Sequence, residues 1–291
     1  MDIGQLVESF EFRFQAAGVD NAKRVAEELL AHVFECKPLE IYTGAADIAS
    51  TTARKFEIIK RLEPLAERIE NGEPLQYVIG HVDFWGLQIQ CDPRALIPRP
   101  ETELLVEEVV TSNMWNRENA GPATVVDVGT GTGCVALTLA QQRSDANFKA
   151  VDLSSDALEL AKENAEINGL SGRVFWMRNN LLERFAPESA DIVVANLPYI
   201  ATDDWKQLHP SVRDHEPQLA LDSGPTGMEL ITELATQARY VLTPRGMLFL
   251  EFGYDQGDAV FQCLERLGYL ETVSYTHLTL PTMLAQCSAR W

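Results

Sequence analysis

The 291-residue sequence predicts an α/β protein: an open, mostly parallel sheet behind a small N-terminal helical domain and a β-hairpin linker. Three observations carry this. From residue 123 onward, short apolar runs alternate with amphipathic segments of helical period. The first eighty residues repeat apolar side chains at threes and fours. Between these regions lies a short alternating stretch punctuated by glycine and Asp-Pro. A chain of this length suits two domains of ordinary size.

Residues 1–80 are read as a helical substrate-recognition domain. Asp20 is the expected N-cap of a helix carrying Val25, Leu29, Leu30 and Val33 on one face. A second long helix starts near Ser50 or Thr51, carries Phe56, Ile59, Leu62, Leu65 and Ile69, and stops at Asn71-Gly72. No catalytic cluster stands out in this region. Residues 81–98 form the linker, with Val82, Phe84, Leu87, Ile89 and Leu96 extended and Gly86 and Asp92-Pro93 as turn signals. Residues 99–291 are the catalytic domain. It opens with Arg99-Pro100-Glu101-Thr102-Glu103 and a helix whose apolar face holds Leu105, Val106, Val109 and Val110. Strands are expected at Thr124–Val128, Phe148–Val151, Arg173–Met177, Asp191–Ala195 and Gly246–Glu251. Helices are expected at Cys134–Gln142, Ser155–Asn168, Thr226–Val241 and Gln256–Leu267.

Composition narrows the class. Apolar residues make up 46% and charged residues 23%, enough for a sizeable core. No apolar run approaches the roughly 18–20 residues of a membrane helix, and the N-terminus lacks a secretory pattern. The expected compartment is the cytoplasm. Five cysteines without a C-x-x-C, and five histidines without ligand spacing, argue against disulfides and metal. The formal net charge of −19 argues against DNA or RNA as the main partner and favours a basic protein.

Chemistry enters at Val125-Val126-Asp127-Val128-Gly129-Thr130-Gly131-Thr132-Gly133-Cys134, a strand running into a glycine turn and then a helix. Glycines let the backbone approach a ligand closely. Asp152 closes the next strand, nineteen residues after Gly133, where a carboxylate can accept from ribose hydroxyls. A dinucleotide turn needs G-x-G-x-x-G, and Cys134 stands where its last glycine falls. The G-x-G-x-G spacing behind Asp127 resembles the cofactor turn of class I S-adenosylmethionine methyltransferases, which have a Rossmann-like sheet. The plainer alternative is a tight βα turn with no ligand.

Asn196-Leu197-Pro198-Tyr199 follows the fourth expected strand. It resembles the N-P-P-Y motif of enzymes that methylate planar, amide-like nitrogens. Such a nitrogen is a poor nucleophile because its lone pair is delocalised. Asn196 can accept one N–H through its side-chain oxygen, the carbonyl of residue 197 can accept the other, and Tyr199 can stack on the planar group. Leucine replaces the first proline, which removes stiffness and keeps the carbonyl. Taken alone, the tetrapeptide reads as an ordinary strand exit.

Nearly the whole chain resembles the HemK/PrmC family, the N5-glutamine methyltransferases of peptide chain release factors. The matching segments are Glu73–Gly80, Phe84-Trp85-Gly86, Leu96–Glu103, the glycine turn, Asn196–Tyr199, Glu216-Pro217 with Ala220-Leu221, and Glu251–Gly257. The resemblance implies S-adenosyl-L-methionine as cofactor and class 1 release factors as protein substrate, methylated at the Gln of a Gly-Gly-Gln loop that reaches Asn196. It further implies that Gly129, Thr130, Gly131, Thr132, Gly133, Asp152, Asn180, Leu181 and Asn196 touch the cofactor. Asn180 stands where the family has Asp, near the adenine. Arg99 and Glu101 are expected to close over the site, with a plain inter-domain salt bridge as the alternative. Two other functions use the same residues: adenine N6-methylation of DNA or RNA, and a non-catalytic cofactor-binding scaffold.

The resemblance stops near Thr272. The segment Val273-Ser-Tyr-Thr-His-Leu-Thr-Leu-Pro-Thr282 resembles the translation of a sequencing-library adapter. Residues from about 273 are therefore expected to be a non-native tail, leaving the sheet without its last antiparallel strand.

Overall fold

The computed structural model describes residues 3–43, 52–116, 122–276 and 282–288. They divide into two compact units. One holds the residues up to Gly80 together with His209–His215; the other holds His81–Leu208 and the residues from Glu216 onward.

The first unit is helical. Helices α1 (Ile3–Ala16), α2 (Ala22–Phe34), α3 (Thr52–Glu70) and α4 (Leu75–Ile79) pack around Phe10, Phe14, Leu29, Leu30, Ile41 and Leu62. Each such side chain contributes about 1.5–3 kcal/mol by leaving water. The Arg13 guanidinium ties α1 to α3, donating to Glu70 at 2.6 Å and to Glu63 at 2.9 Å. The expected cap at Asp20 is corrected to Asn21, which sits at φ +52° and makes no side-chain cap bond. Asparagine tolerates the left-handed region that the chain needs for this turn.

The second unit begins with an antiparallel hairpin, β1 (His81–Phe84) and β2 (Leu87–Gln90). Then come α5 (Thr102–Thr111), β3 (Thr124–Val128), α6 (Cys134–Gln142), β4 (Asn147–Asp152), α7 (Ser155–Ile167), β5 (Val174–Arg178) and β6 (Ala190–Asn196). A short pair, β7 (Ile200–Ala201) and β8 (Asp222–Gly224), brackets in sequence two single-turn helices, α8 (Thr202–Trp205) and α9 (Pro210–Arg213), the second of which belongs to the first unit. The chain finishes with α10 (Glu229–Val241), β9 (Leu242–Gly253), α11 (Gly257–Arg266), β10 (Leu270–Thr276) and β11 (Thr282–Ser288).

The large sheet has the order β10-β11-β9-β6-β3-β4-β5. The five strands from β9 to β5 are parallel. Alternation along β3 sends Val125 to a core with Leu105, Leu137 and Phe148, and Val126 to an opposite core with Leu234, Leu248 and Leu264. Both faces are covered, as a parallel sheet requires. The expected strands and helices of this unit are all present, with ends shifted by up to a few residues; β9 is the exception, beginning four residues before its expected start.

The expectation of a sheet lacking its final strand is corrected. Residues 282–288 lie between β9 and β10, antiparallel to both. Strand pairing runs through main-chain groups, so this segment can pair between β9 and β10 whatever its side chains. Residues 277–281, part of the expected tail, lie outside the described residues.

Candidate active site

The chain steps outward from β3 to β4 and β5, then returns to place β6 on the other side of β3. That reversal opens a crevice at the carboxyl ends of β3 and β6, where such sheets bind ligands. The glycine turn leaves β3 there, and Asn196 is the last residue of β6.

A cavity occupies this crevice. Its lining includes Gly129, Thr130, Gly131 and Thr132 from the turn, Asp152 after β4, and Asn180 and Leu181 after β5. From the other wall come Arg99, Thr102, Asn196, Leu197 and Pro198. Three expected site residues are outside this lining. Gly133 is the N-cap of α6, with Ala161 and Trp176 at 3.0 and 3.1 Å from where a Cβ would stand. Glu101 is the N-cap of α5. Tyr199 packs partly against the core beneath α10.

The turn is fixed from below. The buried Asp127 carboxylate accepts from Thr130 Oγ1 at 2.6 Å and from the Ala136 amide at 3.2 Å. Burial pushes its pKa up to about 7, against the pull of those two bonds. Gly129 has φ +71°, and a Cβ there would stand 2.8 Å from Leu197 Cδ2. The glycine turn and the turn after β6 thus pack directly on each other.

Asp152 presents both oxygens. One accepts from the Gly131 amide and the other from the Ser154 amide, each at 2.9 Å. The carboxylate keeps acceptor capacity for a hydroxyl donor. Burial raises this carboxylate above its ordinary range. Next to it, Asn179 donates to the Leu181 carbonyl at 2.9 Å, while its buried Oδ1 accepts from none of the described residues. A buried acceptor without a donor is costly, so this atom suits a ligand amino group. Asn180, also in the lining, donates to Glu183 at 2.7 Å. A carboxylate for hydroxyls, an orphan acceptor, close backbone and apolar walls from Val151 and Leu153 fit a nucleoside-bearing cofactor such as S-adenosylmethionine.

The turn after β6 is held on three sides. Asn196 Nδ2 donates to Thr102 Oγ1 at 3.0 Å, and Thr102 donates to Glu251 Oε2 at 2.9 Å. Gln256 donates to the Tyr199 carbonyl at 2.8 Å and accepts from the Gly253 amide at 2.9 Å. Leu197 is buried in the core. Neither Asn196 Oδ1 nor the Leu197 carbonyl accepts a hydrogen bond from a described residue. Arg99 donates to Glu216 at 2.5 Å, and the Ile97 amide donates to the other Glu216 oxygen at 3.1 Å. This ion pair lies within one compact unit, which corrects the inter-domain alternative.

Thr102, Glu251, Gln256 and Asn179 received no role from the sequence, although the first three sit inside the segments that carry the family resemblance. Asn164 was also missed. Fully buried, it bonds both backbone groups of Gln90 and the Thr132 carbonyl, joining the hairpin to the glycine turn.

Comparison with known proteins agrees with this geometry. Residues 5–80 match the PrmC N-terminal domain, and residues 101–210 match the methyltransferase small domain. A release factor glutamine methyltransferase of Cereibacter sphaeroides is 38% identical over 88% of this chain and 87% of its own. The protein of the same name from Nitratidesulfovibrio vulgaris is 37% identical over 84% of this chain and 80% of its own. The chain belongs to the release factor glutamine methyltransferase family. Among solved structures, the delta-N METTL16 methyltransferase domain superposes with a TM-score of 0.52 at 17% identity, covering 76% of this chain and 97% of its own. A methyltransferase from Pyrococcus furiosus gives 0.50 at 17% identity, over 69% of this chain and 89% of its own. Both show the fold: a class I methyltransferase sheet. Among the described residues, no helix is long and apolar enough to cross a membrane, and no side-chain cluster is arranged to hold a metal.

Proposed function

We propose that this chain methylates the side-chain amide nitrogen, N5, of the glutamine in the Gly-Gly-Gln loop of class 1 peptide chain release factors. One observation carries the reading: Asn196 and Leu197 both line the cavity against the glycine turn, and neither Asn196 Oδ1 nor the Leu197 carbonyl accepts from a described residue. They match the two N–H groups of a primary amide. The names of the relatives support the same substrate. Bound S-adenosylmethionine supplies an electrophilic methyl group.

The chain's residues do the rest by placement. Asn196 and Leu197 draw electron density towards the amide nitrogen and fix its face. Transfer would form a carbon–nitrogen bond as the methyl–sulfur bond broke, leaving a neutral thioether, and the amide held at these two oxygens would lose one N–H proton to water. Tyr199 is no base, because burial raises its phenol further above the usual range. Gly129 to Thr132, Asp152, Asn180 and Leu181 hold the cofactor; Gly133 sets the turn, and Asn179 adds an acceptor beside Asn180. Arg99 and Glu101 border the substrate side, and the helical unit recognises the release factor. The cytoplasm is the compartment this reading assigns, with neither membrane nor nucleic acid as partner.

The test is transfer from labelled S-adenosylmethionine to a release factor, to its Gln→Ala variant in the Gly-Gly-Gln loop, and to duplex DNA. Label on the first alone is expected. Label in DNA alone overturns the reading in favour of adenine methylation, and label nowhere favours a scaffold. Asn196→Ala is expected to abolish transfer while cofactor binding persists.

A further inference from the structure

We propose that Thr102 and Glu251 are positioning residues that lock the Asn196 amide with its oxygen toward the cavity. This rests on the reading that Asn196 Oδ1 receives a substrate N–H. The two ends of an asparagine amide have nearly the same shape, and only their partners distinguish them. Flipped, Asn196 would aim an NH2 group at the substrate's own N–H, and the acceptor would be lost.

The surroundings forbid the flip. Glu251 is 1% exposed and stands opposite Asn196 in the parallel register of β6 and β9. Ionised, it can only accept. The Thr102 hydroxyl has one proton and gives it to Glu251 Oε2 at 2.9 Å. Toward Asn196 it can therefore only accept, and it does so from Nδ2 at 3.0 Å. Asn196 also bonds Glu251 itself. A flipped amide would bring its oxygen against the Glu251 carboxylate. Thr102 is the first residue of α5 and lines the cavity, so helix and strand together set the polarity of one side chain.

The polarity has a switch in it. Burial pushes Glu251 up to about 7, with Glu101 pushing the same way and the bonds from Thr102 and Asn196 and the charge of Arg99 pulling down. Tyr199 faces it as well and stays neutral. Protonated, Glu251 becomes a donor to Thr102. The Thr102 hydroxyl is then free to donate to Asn196 Oδ1, and the chain of bonds reverses.

The experiment compares wild type, Thr102→Val, Thr102→Ser, Glu251→Gln and Asn196→Ala, using a release factor as substrate and cofactor affinity as the folding control. Thr102→Val is expected to lower kcat roughly tenfold to a hundredfold, with KM and cofactor affinity within about twofold, and Thr102→Ser to restore it. The wild-type kcat is expected to fall as pH drops below about 7, and Glu251→Gln to lose that limb. Full kcat in Thr102→Val, or an unchanged limb in Glu251→Gln, overturns the proposal. If Thr102→Val loses cofactor binding, the Glu251→Gln pH profile decides. An inactive Asn196→Ala beside a fully active Thr102→Val sinks the positioning role alone. A fully active Asn196→Ala sinks the underlying reading of the site.

Discussion

At the scale of single residues, the site depends on what Leu197 and Gly129 do to each other. The sequence raised a question of rigidity where leucine replaces a proline. The structure answers it with packing: Leu197 is buried, and its Cδ2 occupies the space a Cβ on Gly129 would need. Gly129→Ala therefore meets both a clash and a left-handed backbone at φ +71°. It is expected to destabilise the fold by about 1–3 kcal/mol and to weaken cofactor binding. Thermal unfolding and cofactor titration check both, and an unchanged protein would show that the two turns are not in contact.

At the scale of elements, Gln256 joins the start of α11 to the end of β9 and to the turn after β6. Gln256→Ala leaves the Gly253 amide and the Tyr199 carbonyl without that partner. A loss of about 1–2 kcal/mol in stability is expected, with kcat reduced more than cofactor affinity. Equal loss in both would mean that Gln256 serves the fold and not the turn. The limits of sequence reading lie at this scale. Helix α6 was legible to the residue because Gly133 precedes it and an apolar run fills it. Helix α4 was not, being five residues long. The Thr102–Glu251 bond spans 149 positions and exists only because β9 pairs with β6 beside α5. No local pattern encodes such a pairing. Asn179 and Asn180 are equally polar neighbours, and only the path of the chain after β5 decides which is buried.

At the scale of the whole molecule, three carboxylates, the buried Asp127 and Glu251 and the half-buried Asp152, leave a signature in stability. Burial raises Asp127, Asp152 and Glu251, two of them to about 7. Each holds its proton more tightly folded than unfolded, where carboxylates titrate near 4. Between about pH 4 and 7 the folded state binds more protons, so stability falls as pH rises through that window. Glu73 and Asp92, held low by Arg68 and Arg94, act below it: their stabilisation is lost as pH falls beneath the ordinary range. Asp127→Asn is expected to flatten the decline, measured as the urea midpoint against pH. An unchanged slope would contradict the assignment to Asp127. The open, mostly parallel sheet followed from strand–helix alternation. The insertion of residues 282–288 between β9 and β10 did not, because main-chain pairing asks little of side chains.

The most direct test is tandem mass spectrometry of a class 1 release factor after incubation with the protein and S-adenosylmethionine. The account predicts a methyl group on the side-chain nitrogen of the Gly-Gly-Gln glutamine, absent with Asn196→Ala. An unmodified glutamine with wild-type protein that binds the cofactor, or a methyl group on any other atom, would contradict it.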